Sequence, residues 1–117
     1  MIKELKVLFV DDDAITRLVM INQLSVRYSE VFEAANGKEG LDIYIDVRPD
    51  IVVTDVSMPV MGGEEMVKQI KLINPDQKVI IVSGFAEGFE GSDDIPIIYK
   101  PITADLLFKE INSLAGL

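Results

Sequence analysis

Asp11, Asp12, Asp55, Ser83 and Lys100 are the residues whose types and positions in this sequence could do chemistry. Each follows a short apolar run. Residues 5–10 lead into the acidic pair, 51–54 into Asp55, 78–82 into Ser83 and 97–99 into Lys100. A carboxylate at the end of a buried strand is costly unless something there needs it. Carboxylates held close together repel one another, and at least one titrates high unless a cation neutralises them. The chain has no His and no Cys, which removes imidazole acid–base chemistry, thiol catalysis and disulfides. An all-oxygen donor set suits Mg²⁺, which keeps several waters and takes one or two carboxylates plus a phosphate oxygen. In such a site Asp55 is the nucleophile toward phosphorus. Mg²⁺ and Lys100 neutralise the equatorial oxygens, and the Ser83 hydroxyl hydrogen-bonds one of them.

The elements that must position these residues alternate along the chain. The run 5–10 reads as a strand, and Asp13 is placed to cap a helix in which Ala14, Leu18, Ile21, Leu24 and Tyr28 recur at helical spacing. Residues 31–34 read as a weak second strand. Asn36 to Glu39 read as a capping box opening a second helix, with Leu41, Tyr44 and Ile45 inward. The third strand, 51–55, is stopped by Pro59. Gly62 and Gly63 open a third helix with Met66, Val67, Ile70 and Ile73 as its buried stripe. Strands follow at 78–82 and 97–99. Thr103 caps a last helix with Ala104, Leu107, Phe108, Ile111 and Leu114 on one face. Alternation of this kind predicts an α/β domain of three layers, a parallel five-stranded sheet wound on both sides. In such sheets ligands bind beyond the carboxyl ends of the strands, which is where the chemically capable residues fall. Residues 84–96 hold three glycines and a proline after Gly84 is included with 88 and 91, so the fourth helix is expected to be reduced or irregular.

Composition bounds the function classes. The 117 residues are 49% apolar and carry a formal net charge of −9, which predicts one domain over 1–117 and argues against direct binding of nucleic acid or an anionic membrane. No apolar run approaches the roughly 18 residues of a membrane span, and the start lacks a signal-peptide core. A cytoplasmic protein is expected. Each candidate residue also has a plainer explanation: Asp11 to Asp13 as a solvated turn, Asp55 as a turn residue before Pro59, Ser83 as a loop residue and Lys100-Pro101 as a strand exit. Their coincidence at corresponding strand ends favours a site. The glycine-rich segment lacks the Walker spacing and a Lys-Ser/Thr pair, so it is not read as a phosphate loop.

Taken together, Val10-Asp11-Asp12, Thr54-Asp55-Val56-Ser57-Met58-Pro59, Ser83-Gly84 and Lys100-Pro101 resemble the receiver domains of two-component response regulators, over essentially the whole chain. The resemblance implies a flavodoxin-like sheet of order 2-1-3-4-5. It also implies a signalling domain, not a conventional enzyme, that catalyses only its own phosphorylation and dephosphorylation. Asp55 would accept a phosphoryl group from a phosphohistidine on a sensor histidine kinase or histidine phosphotransfer protein. Asp12 would bind Mg²⁺ directly, Asp11 largely through water, and Ser57 through its backbone carbonyl. Ser83 would be the switch hydroxyl and Lys100 the phosphate-binding lysine, with the Lys100–Pro101 bond cis. An output domain or a homodimer would read the switch.

Departures from the family pattern are Ile97, where Tyr or Phe often stands three residues before the lysine, and Gly84, where alanine is common. Tyr99, adjacent to the lysine, is expected to point to the other side of the strand. The stretch between Ser83 and Lys100 is short, as in receivers fused to hybrid sensor kinases, which suits a phosphorelay. Two other readings are kept: an unphosphorylated receiver-like scaffold, and a small aspartyl-phosphate phosphatase whose Asp-x-Asp pattern Asp11 and Asp13 match.

Overall fold

Successive residues of a strand face opposite sides of a sheet, and here both sides are buried. Val7 and Phe9 face one way with Leu5, and Leu8 and Val10 face the other. The computed structural model describes residues 2–84 and 95–117. Within them the chain runs β1 (Lys3–Val10), α1 (Ala14–Ser25), β2 (Tyr28–Ala34), α2 (Gly37–Val47), β3 (Ile51–Asp55), α3 (Gly63–Ile73), β4 (Lys78–Ser83), β5 (Ile97–Tyr99) and α4 (Ala104–Ala115). The five strands are parallel and ordered β2-β1-β3-β4-β5, the expected three-layer arrangement. On one face, Met20 and Leu24 of α1 and Leu107, Phe108 and Ile111 of α4 pack on Val7, Phe9, Val53 and Ile80. On the other, Tyr44 of α2 and Met66, Val67 and Ile70 of α3 pack on Leu8, Val10, Val52 and Ile81.

Helix starts follow the expected side-chain caps. The Asp13 carboxylate accepts from the Ile15 amide, Asn36 Oδ1 accepts from the Glu39 amide and Thr103 Oγ1 from the Leu106 amide. Glu39 reaches back to the Ala35 amide at 3.3 Å, one residue before the position a capping box predicts. Gly62 at the start of α3 offers no side-chain cap.

Several expectations are corrected. Tyr28 does not continue α1; it opens β2, which is longer than the weak strand expected at 31–34. Its ring is buried edge-on against Phe108 and its hydroxyl donates to Asn112 Oδ1 at 2.8 Å. Tertiary burial against α4 therefore overrides the helical spacing that pointed to Tyr28. Leu18, Ile45 and Ile73, placed inward by the same spacing, are exposed. The inward stripe of α1 is Met20 and Leu24 flanked by Ile21, and Ile43 in place of Ile45 packs with the α2 core. The expected irregular fourth helix falls largely on residues 85–94, outside the described residues.

Candidate functional site

The order β1-β3 makes Asp11 and Asp55 neighbours before any side-chain contact is considered. Val10 is in register with Thr54, so the next residues, Asp11 just past β1 and Asp55 at the end of β3, lie side by side. Both are buried, whereas Asp12, on the turn into α1, is exposed. One carboxylate oxygen from each of Asp11, Asp12 and Asp55 lies within 4.8 Å of the other two. This donor set holds three oxygens and neither nitrogen nor sulfur, which fits a hard divalent cation such as Mg²⁺ and not a soft metal.

Hydrogen bonds fix the two buried carboxylates. The Asp11 amide donates to the Ala34 carbonyl at 3.1 Å, and the Asp13 amide donates to Asp11 Oδ1 at 2.8 Å. The Val56 amide donates to Asp55 Oδ1 at 2.7 Å. Lys100, just beyond β5, brings Nζ to 2.8 Å from Asp55 Oδ2, and its amide donates to the Ser83 carbonyl at 2.8 Å. The Lys100–Pro101 bond is cis. Burial pushes the Asp11 carboxyl above its ordinary range. The Asp13 amide and the Lys100 ammonium oppose that shift, while the charges of Asp55 and Asp12 add to it.

The loop after β3 is closed by glycine. The Gly63 amide donates to the Val56 carbonyl at 2.8 Å, and a Cβ on Gly63 would collide with the Asp55 carbonyl. Val60, in the same loop, has φ of 70° and is exposed. Ser57 is exposed in this loop as well.

Ser83 is buried at the end of β4, one residue past Val82, which is in register with Asp55. Its hydroxyl donates to the Gly84 carbonyl at 3.0 Å. Ile97 packs with the Leu8 and Ile81 side of the sheet, and Tyr99 is half exposed in register with Ser83. The Asp13 carboxylate is taken up at the start of α1, where it also accepts the Thr16 hydroxyl at 2.6 Å. That hydroxyl is the main reason its pKa lies below the ordinary value.

Two features escape a reading by strand ends. Arg17, one turn into α1, reaches back to the Asp11 backbone; its signal is an arginine four residues after the capping Asp13. The second is a cleft of about 710 Å³ that joins the acidic cluster and Lys100 to an apolar wall of Ile15, Val19, Met20, Pro101 and Ile102. Ile15 and Val19 of this wall are exposed, as is Leu18 beside Val19 in α1.

A family model described as "Response regulator receiver domain" matches residues 7–112. The chain is 36% identical over 83 residues to the chemotaxis protein CheY of Thermotoga maritima, a match covering 70% of this chain and 69% of that protein. It is 37% identical over 82 residues to sporulation initiation phosphotransferase F of Bacillus subtilis, covering 70% of this chain and 66% of that one. The solved response regulator receiver domain protein from Clostridium thermocellum superposes with a TM-score of 0.84 at 28% identity, over 96% of this chain and 94% of that chain. Among the described residues no helix is long and apolar enough to cross a membrane. With its sheet order, its convergent carboxylates and a family match over most of its length, this chain belongs to the response regulator receiver domain family of two-component and phosphorelay signalling.

Proposed function

We propose that Asp55 accepts a phosphoryl group from the phosphohistidine of a sensor kinase or histidine phosphotransfer protein, with Mg²⁺ as cofactor, and that the loops after β3 and β4 then change conformation to signal. The observation that carries this is the convergence of Asp11, Asp12 and Asp55 within 4.8 Å, with the Lys100 ammonium on Asp55. Asp12 and Asp55 would hold the cation directly, Asp11 through water, and Ser57 through its backbone carbonyl. When bound, the ion supplies positive charge against the equatorial oxygens of the transferring group.

The chain's own residues do the rest. A carboxylate oxygen of Asp55 forms the new O–P bond as the N–P bond of the donor breaks, and the leaving imidazole nitrogen keeps the electron pair and takes a proton from solvent. The Lys100 ammonium moves from the carboxylate to a phosphoryl oxygen. Ser83 turns its hydroxyl from the Gly84 carbonyl to another. That rotation couples the phosphoryl group to the β4 end and biases the loop that follows. The phosphatase alternative gains nothing from Asp13, whose carboxylate is engaged by Ile15 and Thr16 at the helix start. The scaffold alternative leaves unexplained why two buried carboxylates are held side by side.

The apolar wall of the cleft supports donor docking on this side of α1. Ile15 and Val19 line the cleft, and with Leu18 outside it they give α1 three exposed apolar side chains beside the phosphoryl site. A donor whose phosphohistidine is surrounded by apolar side chains covers these three as its imidazole enters the cleft. The domain would act in the cytoplasm and signal through an attached or separate output partner or a homodimer.

The test is incubation with Mg²⁺ and a small phosphodonor. An acid-stable, base-labile adduct is expected on the wild-type chain and none on Asp55→Asn. A label that persists in Asp55→Asn overturns the assignment.

A further inference from the structure

Arg17 connects three elements at the edge of the acidic cluster. From the first turn of α1, its Nη1 donates to the backbone carbonyl of Asp11 at 2.8 Å, and its Nε donates to Glu33 Oε1 on β2 at 3.0 Å. The side chain is largely buried, at 19% exposure, while Glu33 is half exposed. Its partner on Asp11 is the backbone carbonyl, not the carboxylate.

That choice of partner has a geometric consequence. The Asp11 carbonyl and the Asp12 amide belong to one planar peptide unit. Holding the oxygen fixes the plane from which the Asp12 Cα projects. The preceding peptide is fixed by the Asp11 amide on the Ala34 carbonyl, and the following turn by the Asp13 amide on Asp11 Oδ1. Asp12 is an exposed residue on a turn, with no sheet register of its own. Its convergence with Asp11 and Asp55 therefore depends on the peptide that carries it.

We propose that Arg17 is a positioning residue for the cation site, setting the Asp11–Asp12 peptide so that Asp12 faces Asp55, and that Glu33 orients Arg17. The inference rests on the Mg²⁺ site proposed above. Coulomb's law and positioning predict opposite signs. Arg17 is a cation close to a cation site, so removing it on electrostatic grounds alone tightens Mg²⁺ binding. If Arg17 instead holds the ligand in place, removing it weakens binding, as loss of an outer partner of a ligand does, by about 10-fold.

The experiment is isothermal titration of Mg²⁺ into wild type, Arg17→Ala, Arg17→Lys and Glu33→Ala, with thermal melts of each metal-free protein. The expected result is Mg²⁺ affinity weakened by about 10-fold in Arg17→Ala and weakened to a smaller degree in Arg17→Lys, which keeps the charge but not the planar fork. Unchanged or tighter binding in a cooperatively melting Arg17→Ala overturns the proposal and makes Arg17 a structural tie only. Should Arg17→Ala not fold, Arg17→Lys decides. Its charge is the wild-type one, so an unchanged affinity overturns the proposal and a weakened one supports it. Wild-type protein that binds no Mg²⁺ overturns the cation site itself and this inference with it, a result distinct from normal wild-type binding with indifferent variants.

Discussion

The α-carbon of Gly63 lies against the backbone carbonyl of Asp55, and Thr54 Oγ1 closes the same space. The start of α3 is thereby seated on the strand end that presents the acceptor. Gly63→Ala forces a methyl group into backbone and is expected to cost about 3 kcal/mol of stability, read from urea unfolding. An alanine variant as stable as wild type would show that the loop after β3 yields easily.

Val60 is the strained member of that loop. It is β-branched, has φ of 70°, and sits between Pro59 and Met61, whose carbonyl and amide are hydrogen-bonded at 2.7 Å. This is the γ-turn hand that side chains tolerate least. Val60→Gly removes strain of about 1–3 kcal/mol against a glycine entropy cost of about 0.5–1 kcal/mol. A net gain is expected, seen as a higher urea midpoint at unchanged slope. A lower midpoint contradicts the strain.

Asp11 makes the metal-free protein sensitive to pH. Burial raises its carboxyl above the ordinary 3.8, so across that interval the folded state binds more protons than the unfolded one. Its contribution to stability is full below 3.8 and is lost as pH rises through the folded-state value. Asp11→Asn keeps an acceptor for the Asp13 amide and removes the charge. With chelator present the variant is expected to be more stable than wild type at neutral pH, with the gain shrinking in acid. Urea melts at both pH values check this, and a gain that grows in acid would refute it.

The proposed docking of the donor on α1 distinguishes two kinds of donor. Leu18→Ser is expected to slow phosphoryl transfer from a phosphohistidine protein by about tenfold, the effect of losing a contact worth roughly 1.4 kcal/mol. Labelling by a small phosphodonor keeps its wild-type rate, since Leu18 does not line the cleft. Equal slowing with both donors would place the fault in the site and not in docking.

The strand runs and their terminal residues were legible because they obey local rules: unbroken apolar stretches for strands buried on both faces, then a carboxylate, hydroxyl or lysine that cannot continue them. The family pattern supplied the strand order. Exposure along the helices was less legible. Leu18 and Tyr28 share a helical spacing with Leu24, yet Tyr28 pairs with Lys3 as the first residue of β2 and packs on Phe108 of α4, while Leu18 is exposed. Ile45 and Ile73 failed for the same reason, since spacing gives a face and not which part of it the neighbouring helix covers. Gly63 was legible as the start of α3, but its seat on the Asp55 carbonyl and the reach of Arg17 to the Asp11 carbonyl were not, because a backbone carbonyl leaves no trace in residue types.

The pairing of Val10 with Thr54 has one more consequence. The backbones that carry the two buried carboxylates are set apart by the width of one hydrogen-bonded strand pair, about 4.8 Å, so the sheet itself acts as the ruler of the site. Amide hydrogen exchange at the ends of β1 and β3 should then report on the cation: those protons slow together when Mg²⁺ is added, and they become labile together only when the whole sheet opens.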